Sequence, residues 1–147
     1  MPAKDFLTLE EENDIIDAIR AAELKTSGEI RVHIETHNPI ADPYERALEV
    51  FEKLGMHNTQ SRNAVLFYVA VDDHNFVIFG DEGINEVVPD DFWEKTKDLI
   101  VSHFRQGNFK QGLVEGILKA GRILKNYFPY GENDKNELPD EISKGLI

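Results

Sequence analysis

Five carboxylates, Asp81, Glu82, Glu86, Asp90 and Asp91, fall within the fourteen residues GDEGINEVVPDDFW, directly after the apolar run NFVIF. Carboxylates at this density serve one of two ends. They can surround a hard divalent cation, which takes several oxygen ligands, or they can face water and favour the positive end of a following helix. Asp81 is the least ordinary of the five, because it stands between an apolar strand and a glycine-containing turn. Asp81 and Glu82, together with Glu29 from an earlier strand, form the leading ligand set, with Glu86 and Asp90 behind them. The plainer readings stay open beside this one. Asp90 or Asp91 would cap the next helix, Glu82 and Glu86 would be solvated, and Glu29 would pair with Arg62.

Other site chemistries find little support in the residue types. There is no cysteine, so disulfides and thiolate metal sites are excluded, and the five histidines show no i,i+4 pair on a helix. The few serines lie outside any nucleophile-elbow pattern. Neither a phosphate-cradling glycine loop with lysine nor a dinucleotide fingerprint is present. The 28 Asp and Glu against 16 Lys and Arg give a formal charge of −12. That field repels phosphate backbones and anionic lipid heads, so nucleic acid and membranes are poor partners. A divalent cation, or another protein with a basic surface, suits it better. No stretch approaches the roughly 18–20 apolar residues of a membrane span, and the amino terminus lacks a signal-peptide profile. The expected location is cytoplasmic.

The elements that must position these residues are legible from periodicity. The chain has 147 residues, the size of one domain. A first helix opens at a capping box, Thr8 with Glu11, and carries Ile15, Ile16, Ile19 and Ala22 at helical spacing. EIRVHIET alternates apolar Ile30, Val32 and Ile34 with polar Glu29, Arg31, His33 and Glu35, which reads as a strand with one apolar face. Asp42-Pro43 starts a second helix as N-cap and N1. Ala47, Leu48, Phe51 and Leu54 are its expected stripe, and Gly55 stops it. AVLFYVAV is a strand covered on both faces, and FVIF returns as its antiparallel partner. A third helix presents Trp93, Thr96, Ile100 and Phe104. A fourth, from about Phe109, buries Leu113, Ile117, Ala120 and Leu124, and its Gly112, Gly116 and Gly121 point to close backbone packing. Residues 130–147 read as a polar, mobile tail after a single domain, 1–129. The order α-β-α-β-β-α-α predicts a small mixed sheet with helices on both faces.

The first two strands, joined by a helical crossover, should be parallel neighbours. A hairpin turn centred on Asp73-His74 places Asp81 opposite Leu66, about 13 Å along the strand from Arg62. The loop beyond Gly80 must then bend back for Glu29 and Asp81 to share an ion, and Gly80 and Gly83 would permit tight or left-handed backbone there.

SGEIRVHIET, RNAVLFYVAVDDHNFVIFGDEGI, VPDDFW, HFRQGNFKQGLVEGI and YFP, in this order, resemble the TPM domain family. The likeness covers roughly Thr8 to Pro129. The resemblance implies a three-layer α/β/α sandwich and a Ca²⁺ or Mg²⁺ site on acidic loop residues. Carried over by position, its ligands are Glu29 in SGE and Asp81 in GDEG. The expected function is a cation-binding regulatory or interaction module. The alternative is a metal-dependent acid phosphatase acting on phosphomonoesters, as reported for some members. The family commonly has Asp-Asn-Gly before the second strand, where this chain has Arg62, Asn63 and Ala64. An arginine there weakens a cation site, yet it could hold a phosphate bidentately.

Overall fold

The computed structural model describes residues 2–131 and 137–147. After a short 3₁₀ turn, Ala3–Asp5, the elements are α1 (Leu9–Glu23), β1 (Glu29–Glu35), α2 (Pro43–Lys53), β2 (Ala64–Ala70), β3 (Asn75–Gly80), α3 (Glu82–Asn85), α4 (Glu94–Arg105), α5 (Phe109–Leu124) and β4 (Ser143–Lys144). The sheet has four strands in the order β3-β2-β1-β4. β1 runs parallel to β2 and to β4, and β2 and β3 form the antiparallel hairpin. α1, α4 and α5 cover one face through a core that includes Ile19, Val32, Phe67, Ile100 and Ile117. α2 covers the other, over Leu66, Tyr68 and Phe79. This is an α/β fold of three layers.

Local chemistry sets the helix ends as expected in two places. Thr8 and Glu11 close a reciprocal capping box on α1, and Asp42 accepts hydrogen bonds from the amides of Tyr44 and Glu45 at the start of α2. α4 differs. Its N-cap is Trp93, with no side-chain capping bond, so neither Asp90 nor Asp91 caps it. On α5 the small residues allow close approach. A Cβ on Gly121 would lie 2.7 Å from the Cβ of Ala22 on α1.

Two expectations fail on the α2 side of the sheet. The buried stripe of α2 is Arg46, Ala47, Val50 and Phe51, while Leu48 is 39% exposed. The polar face of β1 is not exposed either: Glu29, His33 and Glu35 are all buried. Burial of charge demands partners. Arg46 forks onto Glu35, with Nε to Oε2 and Nη2 to Oε1 both at 2.8 Å. The Tyr68 hydroxyl also donates to Glu35, and Arg46 Nη1 reaches Glu49. Bonds to Glu35 raise the Arg46 guanidinium above its ordinary range, and burial together with Glu35 raises the Tyr68 phenol.

The C-terminal stretch, expected to be a mobile tail, contributes to this burial. Residues 132–136 lie outside the described part. Beyond them, Leu138 enters the α2-side core, and Ser143–Lys144 pair with His33 and Ile34 as β4. The Gly145 amide donates to the Ile34 carbonyl at 2.8 Å. Lys144 meets Glu12 at 2.6 Å, and Lys53 donates to the carbonyl of Ile147. Composition missed this because a two-residue strand needs no apolar period; the existing edge of β1 supplies its backbone partners.

Under this roof His33 Nδ1 lies 2.9 Å from Ser143 Oγ, and its ring stacks on Tyr68. Burial pulls its pKa down from 6.5 to about 4, with Glu35 opposing and Arg46 and Arg31 assisting. The folded state therefore binds fewer protons than the unfolded state between these values. Stability due to neutral His33 is complete above about pH 6.5 and falls by up to about 1.4 kcal/mol per pH unit toward pH 4. Urea unfolding across pH 4–7 should show this slope in the wild type, and its difference from His33→Gln should carry it; a pH-independent difference refutes the assignment. The ion pair has its own test. Arg46→Met strands the Glu35 charge and should cost about 3–5 kcal/mol. Adding Glu35→Gln, which is neutral yet still accepts from Tyr68, should recover most of that loss in the same assay.

Candidate functional site

The loop before β2 and the turn after β3 meet at the amino end of β2. Val65 pairs with Gly80, and the Asp81 amide donates to the Ala64 carbonyl at 3.0 Å. Asp81 thus stands beside Ala64, two residues nearer the strand start than expected, because the hairpin turn is centred one residue earlier. Glu29 flanks Ala64 from the other side, on β1. The two backbones are therefore about 10 Å apart, two strand spacings.

The shift also brings Asp81 onto Arg62. Nε and Nη2 of Arg62 contact the two carboxylate oxygens at 2.7 and 3.0 Å, and Nη1 meets Glu82 at 3.1 Å. Asp81, only 5% exposed, also caps α3 by accepting from the Glu82 amide at 2.8 Å. The bonds to Asp81 raise the Arg62 guanidinium above its usual pKa. Backbone contacts lock the two loops together. Gly83 donates to the Arg62 carbonyl at 2.9 Å, and a Cβ on Gly83 would lie 2.2 Å from the Ser61 carbonyl oxygen. The left-handed residue here is Arg62, at φ +50°; Gly80 and Gly83 keep ordinary φ, so Gly83 serves close approach and not a left-handed turn. Glu86 and Asp90 are exposed and stand apart from this latch. A cavity of about 430 Å³ opens beside it, with His57, Arg62, Asp81 and Asn85 among its walls.

Glu29 keeps different company. Its side chain is buried, Oε1 accepts from the Glu137 amide at 2.6 Å, and Oε2 is buried with no N–H donor among the described residues. Glu23, at the end of α1, accepts from the Ile30 amide at 3.0 Å and lies within hydrogen-bonding reach of both Asp140 and Glu29. Burial, then Asp140 and Glu29, push the Glu23 carboxyl up to about 10, so it holds a proton at neutral pH. Burial raises Glu29 as well. Arg20 offers Asp140 a partner at 3.4 Å, and Glu137 accepts from the Gln60 amide at 3.2 Å.

The structure therefore divides the expected ligands. Glu29 is drawn into a carboxylate group with Glu23 and Asp140, while Asp81 and Glu82 are tied to Arg62. Among the described residues, no three or more His, Asp or Glu side chains are already arranged around a metal position. In kind, however, the Glu29 group is all hard oxygen, and among the described residues the only donor beside the buried side of Glu29 is the proton on Glu23. That donor set fits Ca²⁺ or Mg²⁺. Sequence reading missed Glu23 and Asp140. One signal was available for Glu23: a carboxylate in the last turn of a helix sits at the negative end of the dipole, where it is disfavoured unless something else holds it. Asp140 gave none, since its polar surroundings read as tail.

Among the described residues no helix is long and apolar enough to cross a membrane. No curated protein matches the chain. Among solved structures, the BA42 protein of the psychrophilic bacterium Bizionia argentinensis is 58% identical, with a TM-score of 0.91 over 97% of each chain. The N-terminal domain of a P. gingivalis protein shares 21% identity at a TM-score of 0.70, over 88% of this chain and 84% of its own. The N-terminal domain of the cg2496 protein from Corynebacterium glutamicum shares 14% at 0.59, over 96% of this chain and 80% of its own. These last two speak to the fold alone. The model of the TPM domain matches residues 2–123, most of the chain, and the protein belongs to the TPM domain family.

Proposed function

We propose that this TPM domain binds a divalent cation at the amino end of β1 and serves as a regulatory or interaction module. The observation that carries the reading is the gathering of three carboxyls, Glu23, Glu29 and Asp140, where burial and mutual contact force a proton onto Glu23. An ion there would replace the Glu23 proton as the positive charge that these buried carboxyls share. Ca²⁺ suits the group better than Mg²⁺, because it accepts irregular sets of oxygen ligands and Mg²⁺ demands a near-ideal octahedron. Asp81 and Glu82 could join only if Arg62 released them. The same pairing weakens the phosphatase alternative: a guanidinium with three donors committed to carboxylates has little left for a phosphoryl group.

Titration of metal-stripped protein with Ca²⁺ and then Mg²⁺, followed by NMR and calorimetry, tests the reading. Saturable binding should perturb Glu23, Glu29 and the 137–141 segment, and at one hundred times Kd it should stabilise the fold by about 2.7 kcal/mol. Glu29→Gln should weaken binding at least tenfold, whereas Asp81→Asn and Arg62→Ala should each change it by less than about threefold. Loss of binding in Asp81→Asn with retention in Glu29→Gln would move the seat to the α3 loop. Flat titrations of the wild type would remove the cation altogether.

A further inference from the structure

The opposite end of the sheet holds a larger cavity, of about 660 Å³, between the β2–β3 hairpin, the amino-terminal segment and the elbow joining α4 to α5. It lies where β2 ends, and in open α/β sheets ligands settle beyond the carboxyl ends of the parallel strands. Its volume falls within the range of small-molecule sites, roughly 300–1,000 Å³. We propose that it binds a small aromatic carboxylate.

Four phenylalanines, Phe6, Phe76, Phe104 and Phe109, form the apolar wall. Phe6 meets Phe109 with ring centroids 4.5 Å apart, Phe104 meets Phe109 at 5.4 Å, and Phe76 meets Phe104 edge-on at 5.5 Å. Phe6 also meets Phe104 edge-on, at 6.3 Å. Phe104 and Phe109 are only partly buried. Both line the cavity. A further ring entering there would extend the edge-to-face cluster, a geometry that stabilises aromatic pairs beyond the area they bury.

Arg105 lines the cavity from the end of α4. Its side chain is exposed and makes no ion pair or hydrogen bond among the described residues. It presents a planar fork suited to a carboxylate. The carboxylate on the rim, Asp72, faces His37, with Nε2 and Oδ2 3.5 Å apart. The His74 side chain adds a polar group at the mouth. The rest of the protein's negative charge is screened beyond about 8 Å at physiological salt, so the local arginine governs the head group. No residue at the amino end of β1 lines this cavity, and the site stands whether or not a cation binds there.

The test is a two-dimensional NMR titration of the full chain with 3-phenylpropanoate, and with 3-phenylpropanol and octanoate as comparisons. Saturable shifts should centre on Phe6, Val71, Phe76, Arg105 and Phe109, with the carboxylate binding at least tenfold tighter than the alcohol. Arg105→Gln, a surface change, should erase that tenfold preference and leave the alcohol unchanged. Val101→Trp, which fills the cavity, should abolish binding of both while preserving the far-ultraviolet circular dichroism. Equal affinity for acid and alcohol would overturn the carboxylate assignment, and octanoate binding as tightly as phenylpropanoate would overturn the aromatic one. Shifts centred away from these residues, or no saturation with any probe, would overturn the site.

Discussion

The forked ion pair between Glu35 and Arg46 is the constraint around which the α2 side of the sheet is built. β1 presents Glu29, Arg31, His33 and Glu35 on one face, and that face lies inside the molecule. Each group had to be matched or neutralised. Arg46 could reach Glu35 only from a helix crossing at that height, so the pair helps fix where α2 sits on the sheet. Tyr68, one strand over, donates to the same carboxylate and ties β2 to the arrangement. A buried pair of this kind is weak evidence for stability, since two apolar residues of similar volume often do as well. What it supplies here is register: one placement of α2 satisfies both partners, and sliding the helix by a turn would leave two charges unmatched in the core.

The two ends of the sheet are built on different principles. At the amino end carboxylates gather, and the loops are sorted by which carboxylate has a cation beside it. Asp81 has Arg62 and is fully engaged; Glu29 has only amides and other acids. At the carboxyl end of β2 the lining is largely aromatic; Asp72 on its rim faces His37, and Arg105 makes no ion pair among the described residues. The seven residues of β2, about 23 Å of strand, separate the two. The layer of α1, α4 and α5 runs along one face between them, with α5 packed so closely on α1 that glycine is required where they touch. The separation means that a ligand at one end need not disturb the other.

Much of this was readable from the residues in order. The capping box at Thr8, the Asp42-Pro43 helix start, the apolar run of β2 and the glycines of α5 are local signals, each fixed by its own neighbours, and they gave the layers and the parallel pairing of β1 with β2. Three things were not readable. The polar alternation in β1 has the same pattern whether water or a helix lies over it, and nothing within Glu29–Glu35 reveals the roof. Arg46 falls on the buried stripe of α2, four residues before Val50, and a charged side chain carries no apolar signal to turn the expected stripe away from Leu48. The hairpin turn was centred one residue late, which moved Asp81 by two positions and hid its bidentate contact with Arg62. Such errors are small in sequence and large in chemistry, because a site depends on which side chains meet and not on which strands exist.

The fourth strand also bears on how the chain is made. His33 and Ser143 touch across a separation of 110 residues, and contacts so distant form only after much loop entropy has been paid. Synthesis proceeds at about 5–20 residues per second, and domains fold from their amino-terminal side as they emerge. For several seconds, then, β1 and β2 can be paired while the β1 edge and the buried histidine remain uncovered. A nascent chain in that state offers a free strand edge beside an apolar sheet, the combination that favours pairing with a neighbour. The short strand that ends this exposure adds only two residues to the sheet, and its larger effect is to close the window in which the half-made protein can pair with another chain.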